Sequence, residues 1–237
     1  MGLLGIISGT ISVQDKGIFK NLEKRDVETE FGNAHILCSD TIAFIPRHGK
    51  DPKHHILPHQ INHPANMKAL SDMGIKEVIS INSTGSLKKD IQPGTIVVPD
   101  DFIVFSGLIT AINSKTSHMA PKLGHGLRRR CIDAASDCGI HVVESGTYWQ
   151  TTGPRFETKA EIRLMSQFAD LVGMTMASEA IIAQECGLSY AALCSVDNYG
   201  HGLIEQELTL DEITGNARRN TDLIISIITR YIERMRD

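Results

Sequence analysis

Long apolar runs are missing: no stretch approaches the roughly 18 residues that a membrane-spanning helix needs. Met1 to Thr10 has no basic start and Gly9 interrupts its apolar run, so no signal peptide is expected. The five cysteines, Cys38, Cys131, Cys138, Cys186 and Cys194, are odd in number, scattered, and contain no C-x-x-C pair. They read as reduced thiols in a cytoplasm rather than a disulfide framework. Positive charge is not in excess either. Lys and Arg number 24 against 28 Asp and Glu, a net charge of −4, and the one small basic run, Arg128 to Arg130, reads as a solvated helix face, so no nucleic-acid partner is expected. Aromatic residues make up only 5%, but with 41% hydrophobic and 22% charged residues the composition is that of a globular protein and excludes a disordered or fibrous chain. Linkers, repeats and low-complexity tracts are absent, so one domain spanning 1–237 is expected, large enough to fold without staples.

What is present is an alternation of short β-rich runs with helical segments. Leu3 to Ile7, Thr41 to Pro46, Glu77 to Asn82, Thr95 to Val98, Val142 to Thr152 and Tyr190 to Val196 read as strands closed by polar, Gly or Pro positions. Ala65 to Met73, Gly126 to Cys138, Lys159 to Ala169, Ser178 to Cys186 and Leu210 to Arg236 read as helices, several stopping at glycine. This order predicts an α/β fold, a central mixed and mostly parallel sheet flanked by helices, with its site at the carboxyl ends of the strands.

Five strand-end segments therefore stand together: Ser8-Gly9-Thr10, Pro46-Arg47-His48-Gly49, Asn82-Ser83-Thr84-Gly85-Ser86, Gly153 to Thr158 and Gly173-Met174-Thr175. Glycine lets backbone approach, hydroxyls and amides donate, and a guanidinium adds a planar charged fork, which is the set a phosphate dianion requires. No Walker loop is present. His55, His59 and His63 fall at i, i+4 and i+8, a metal-like spacing on a helix, but Pro58 breaks any such helix and no metal is expected. Cys194 near His201 suggests a thiol nucleophile; its apolar strand favours a small buried hydrophobe instead.

The motifs FIPRHG with HHILPHQINHPANMKAL, STGSL with IQPGTIVVPD, GPRFET, VGMT with SEA, and SVDNYG occur in this order from Gly5 to the final helix. In them the whole chain resembles the trimeric purine nucleoside phosphorylase and methylthioadenosine phosphorylase family. The resemblance implies phosphorolysis of a purine nucleoside to free base and ribose 1-phosphate or its 5-methylthio analogue. Inorganic phosphate is then a co-substrate, no other cofactor is needed, and a homotrimer or homohexamer is expected. By position, Thr10, Arg47, His48, Ser83 and Thr175 would cradle phosphate, Met174 would wall the ribose and Phe156 would stack on the purine. His48 and Asn198 would act in catalysis.

Family members that prefer adenine have an aspartate at the place of Asn198 and a small hydroxyl residue at the place of Glu157, so this chain resembles the 6-oxopurine type. A 6-oxopurine offers N1–H to Glu157 and O6 to the Asn198 amide, whereas adenine would leave buried polar groups unpaired at about 1–3 kcal/mol each. Asp197 is adjacent, and a slip of one residue would restore an acid at that position; the spacing to Tyr199 favours Asn198, and Gly200, where some adenine-preferring relatives carry a second aspartate, strengthens the 6-oxopurine resemblance. Glu157 also has a local alternative, capping the helix that begins near Thr158 or pairing with Arg163. His54 or His55, Leu210, and His118 from a neighbouring subunit would line the ribose 5′ side. Inosine, guanosine and 5′-methylthioinosine stay open as substrates. Methylthioadenosine phosphorolysis and a purine-binding protein without turnover are the alternatives.

Overall fold

The structure, a computed structural model, describes residues 2–236 apart from 10–12, 14–15, 50–53, 107–109, 113–117 and 206–208, and without the side chains of Leu210 and Glu212. The described residues form β1 (Leu4–Ser8), β2 (Glu23–Thr29), β3 (Gly32–Cys38), β4 (Ile42–Pro46), β5 (Glu77–Ser86), β6 (Ile96–Val97), β7 (Asp101–Val104), β8 (Thr147–Gln150), β9 (Leu171–Gly173) and β10 (Ser189–Tyr199). The helices are α1 (His63–Asp72), α2 (His125–Asp137), α3 (Lys159–Met165), α4 (Met176–Glu185) and α5 (Leu210–Arg234). The strands join one mixed sheet in the order β2-β3-β4-β1-β5-β9-β8-β7, with β10 on β5 and β6 on β10.

The central strands read as continuous apolar runs because the sheet is covered on both sides. Leu4, Ile6, Ile42, Phe44, Ile79, Ile81, Ala191 and Leu193 pack with Leu127 and Cys131 of α2 and Ile224, Ile227 and Ile228 of α5. The alternate residues Ile7, Ala43, Ile45, Val78, Ala192 and Cys194 pack with Met67 and Leu70 of α1 and Met176, Ala180 and Ile182 of α4. Period-two alternation thus sends successive residues of a single run to opposite cores. Cys194 lies in one of them, and burial pushes its thiol far above the ordinary range, which bears out the reading as a buried hydrophobe.

Several elements differ from the sequence expectation. The β2–β3 hairpin was not anticipated: β2, EKRDVET, is polar and largely exposed, so it has no buried face to produce a pattern. β7 and β9 are only four and three residues long and exist through their pairing with β8. Val142 to Gly146 does not continue into β8; the Val143 amide donates to Ile96 O at 2.9 Å and Val143 O accepts from Val98, which draws this stretch to β6. Helix starts follow their caps. Asn62 accepts from the Ala65 amide at 3.1 Å with proline in the first turn of α1, and Thr158 and Glu161 form a reciprocal capping box on α3.

One topological detail makes the site. β10 pairs along one edge of β5 from Glu77 to Ser86, while β1 occupies the other edge only from Val78 to Ile81 and β9 resumes it at Gly85. Between those partners, at Asn82 to Thr84, the sheet parts into a crevice, the place where α/β folds bind ligands.

The two-faced burial gives a contrast within α5. Ile228→Ala, at a fully buried position, should lower unfolding stability in urea by about 2–5 kcal/mol, whereas Leu223→Ala, at a side chain 41% exposed, should change it by less than about 1 kcal/mol.

Candidate active site

Arg47 follows β4 and turns its side chain inward beneath the crevice, where it is 3% exposed. Its Nε and Nη2 both donate to the carboxylate of Glu179 on α4, the latter at 3.0 Å, Nη2 also donates to Ser80 Oγ at 2.6 Å, and Nη1 donates to Ile81 O at 3.1 Å. Glu179 is 1% exposed and accepts further from the Tyr190 hydroxyl at 2.7 Å. Burial opposes charge on both partners, but each is outweighed by the other: the guanidinium is held above its ordinary pKa and the carboxyl below. A polar chain continues from there. Ser80 Oγ bonds Asn82 Oδ1 at 2.8 Å, and Asn82 Nδ2 donates to Thr175 Oγ1 at 3.0 Å. Because Thr175 Oγ1 accepts from that amide, its own hydrogen is free for the cavity.

His48 lies beside Arg47 with Nδ1 at 2.6 Å from Ile56 O. Burial lowers its pKa to about 4, so the ring is neutral near pH 7, Nδ1 carries the hydrogen and Nε2 offers a lone pair. Gly9 permits both groups to approach the backbone, since a Cβ there would lie 2.8 Å from Arg47 Nη1 and 3.1 Å from His48 Nε2. Gly173 is needed for a similar reason: a Cβ would collide with the Tyr148 hydroxyl, which accepts from the Thr175 amide at 3.3 Å and so orients the start of α4.

A cavity of about 350 Å³ brings together Arg47, His48, Ser83, Phe156, Glu157, Met174, Thr175 and Asn198. The Glu157 carboxylate is buried and accepts from Thr151 Oγ1 at 2.6 Å. The local alternative for Glu157 is not what the structure has, because Thr158 and Glu161 cap α3 and Arg155 pairs with Glu161. Phe156 is 48% exposed, its ring available to a ligand. The neighbours Asp197 and Asn198 are separated by a register shift between Val196 and Asn198 against β5, which sets Asn198 opposite Gly85. Asn198 Nδ2 lies 3.1 Å from where a Gly85 Cβ would be. Asn198 lines this cavity, while the Asp197 carboxylate is buried against the hydroxyls of Ser83 and Ser195.

Other expected residues fall elsewhere. The cavity wall takes His55, stacked on His48 with ring centroids 4.3 Å apart, and not His54; both are exposed. Ile56 N donates to His48 O at 2.9 Å, which folds this loop back onto His48. His118 is exposed and away from this cavity. Thr10 and the side chain of Leu210 lie outside the described residues. His55, His59 and His63 sit on a loop, a 3-10 turn and α1, so their sequence spacing does not become a common face. Among the described residues no group of three His, Cys, Asp or Glu side chains is placed to hold a metal. The donors that do converge, a guanidinium, hydroxyls and amides, suit an anion.

Nothing in the sequence marked Glu179 and Ser80 as partners of Arg47; Asn82 was read only as part of a strand-end segment and His63 only within the histidine spacing. A lone acid near the start of the apolar helix MASEAIIAQE was the available signal, since a buried carboxylate demands a cation.

The cavity thus has a guanidinium and hydroxyls at one end and a half-exposed aromatic ring with an acid and an amide at the other. The chain belongs to the phosphorylase superfamily, whose family model matches residues 11–233. It is 38% identical, over 98% of its length and 97% of the relative's, to a probable 6-oxopurine nucleoside phosphorylase of Archaeoglobus fulgidus. It is 33% identical, over 97% and 92%, to a probable S-methyl-5′-thioinosine phosphorylase of Methanocaldococcus jannaschii. Among solved structures, methylthioadenosine phosphorylase from Schistosoma mansoni in complex with adenine superposes with a TM-score of 0.88 at 26% identity, covering 99% of this chain and 92% of that one.

Two consequences are measurable. Glu179→Gln leaves the Arg47 charge buried without its counter-ion and should destabilise the fold by about 3–5 kcal/mol in urea denaturation. His48 and His63 are both held near pKa 4 by burial, against about 6.5 when unfolded. The unfolded chain therefore binds more protons between these values, so stability is full above pH about 6.5 and falls towards pH 4. His63→Gln should reduce that acid loss of stability, read from denaturation midpoints across the same window.

Proposed function

We propose that this chain catalyses the phosphorolysis of 6-oxopurine nucleosides, with inosine, guanosine and 5′-methylthioinosine as the substrate class, through one nucleoside phosphorylase domain spanning residues 1–237. The observation that carries this reading is a spacing along β5. Arg47 Nη1 bonds the carbonyl of Ile81, and Asn198 faces Gly85, four residues further on. At roughly 3.3 Å per residue these points are about 13 Å apart, the span of a phosphate beneath a ribose that carries its purine.

At the Ile81 end, Arg47, His48 and Thr175 hold phosphate, joined by Ser83 and Thr10. Met174 walls the ribose. At the Gly85 end, Phe156 stacks on the base, Glu157 accepts its N1–H, and the Asn198 amide donates to O6 and accepts from N7–H. The glycosidic C–N bond breaks as the phosphate oxygen bonds to C1′; the electron pair leaves with the purine, and the proton carried by phosphate ends on the base. A dianion fixed beneath C1′ serves as both nucleophile and partner of the oxocarbenium-like sugar. His55, Leu57, Pro58 and Ile213 line the cavity as well. The three apolar ones suit a 5′-methylthio group, and the site is completed by Leu210 and by His118 of the partner subunit in a homotrimer or homohexamer. The setting is cytoplasmic purine salvage with no further cofactor.

A steady-state panel of inosine, guanosine, methylthioinosine, adenosine and methylthioadenosine, with and without phosphate, tests the reading. Phosphate-dependent turnover of the 6-oxopurines is expected, and a preference for the adenine pair overturns it. Binding without turnover would select a purine-binding protein. Asn198→Asp should move the 6-amino to 6-oxo ratio of kcat/KM upward by at least about fivefold, the equivalent of one mismatched buried group.

A further inference from the structure

Asp197 is a buried acid that the proposed reaction does not use. Its two carboxylate oxygens accept from Ser83 Oγ and Ser195 Oγ, and the chain extends to α5 through Asn220 Nδ2, which donates to Ser195 Oγ at 2.8 Å. Asn216 Nδ2 donates to the Asp197 carbonyl at 2.8 Å. Ser83 also lines the site cavity, yet a hydroxyl has one hydrogen. While that hydrogen goes to Asp197, Ser83 presents only lone pairs to the cavity, which repels an anion.

We propose that binding of a dianion in the site is coupled to uptake of one proton by Asp197, which changes from acceptor to donor towards Ser83 Oγ and releases the Ser83 hydroxyl hydrogen to the anion. This rests on the anion end of the site proposed above. The proton comes from solvent and no bond other than O–H is made or broken. Asp197 is a positioning residue acting through Ser83. Burial already raises its pKa to about 6, against the pull of the two hydroxyls, and a neighbouring dianion raises it further. Among the described residues no other charged group is paired with its carboxylate. From α5, Arg219 and Asp211 share a second cavity with it, as does His201; Cys194 is on its own strand; β5 presents the Ser83 hydroxyl. The competing proton acceptor on the anion side is His48 Nε2, and the net charge of the Arg47–Glu179 pair is zero.

Sulfate is the probe, since it stays dianionic where phosphate titrates. Calorimetry at pH 7.5 in two buffers of different ionisation enthalpy should show about one proton taken up per sulfate bound. The association constant should fall about tenfold per pH unit above pH 7, as one linked proton requires. In Asp197→Asn both effects should vanish. In the wild-type protein with 13C-labelled aspartate, the infrared difference spectrum on adding sulfate should show a new protonated-carboxyl band, a readout that needs no variant to fold. Sulfate binding without proton uptake, uptake that persists in Asp197→Asn and so belongs to His48, or absence of the band overturns the coupling alone. Absence of sulfate binding in the wild type overturns the anion site and the coupling with it.

Discussion

The buried ion pair between Arg47 and Glu179 is the constraint on which the site depends. Two charges that would each be costly to desolvate are made tolerable by paired hydrogen bonds and by the flanking Ser80, Ile81 and Tyr190 groups. The pair ties the end of β4 to α4 across β5, and so holds three elements in one relative position. Without it the residues after β4 would have no reason to point beneath the crevice between β1 and β9.

The same pair sets the electrostatic character of the cavity. Glu179 cancels the Arg47 charge and His48 is neutral, so the cavity offers directed donors rather than a field of net positive charge. Directed donors depend on geometry, and the geometry is hydrogen-bonded from behind: Asn82 behind Thr175 and Tyr148 behind the start of α4, while Ile56 fixes the neutral His48 ring with Nε2 as an acceptor. Preorganisation of this kind favours a ligand of fixed shape and charge distribution over any polyanion. The other end of the cavity is built differently, with the half-exposed Phe156 ring and the polar side chains of Glu157 and Asn198 on separate elements.

Much of the site was legible because its residues close apolar runs. Arg47, His48 and Thr175 follow strands, while Ser83 and Asn198 lie in the last few residues of the parallel pair β5 and β10, and the site gathers at such strand ends. Glu179 was not legible as a partner of Arg47, since 132 residues separate them and nothing local marks the pairing. The choice between Asp197 and Asn198 likewise turned on a register shift against β5, which adjacent residues in a sequence do not reveal. The β2–β3 hairpin escaped notice for the opposite reason: it forms at an edge, where little burial constrains its pattern.

Sequence alone determined what depends on neighbours a few residues away: the two-sided burial of the central strands, the caps at Asn62 and Thr158, and the order of motifs that marks the superfamily. Those features are set by side-chain period, hydrogen bonding across one turn and local composition, all of which are written in a short window. The tertiary structure decided which strand edges pair, where β5 is left open, which acid neutralises Arg47 and which of two adjacent residues faces the cavity. These are settled by the free energy of burying distant groups against one another, and that quantity exists only once the whole sheet and its helices have packed.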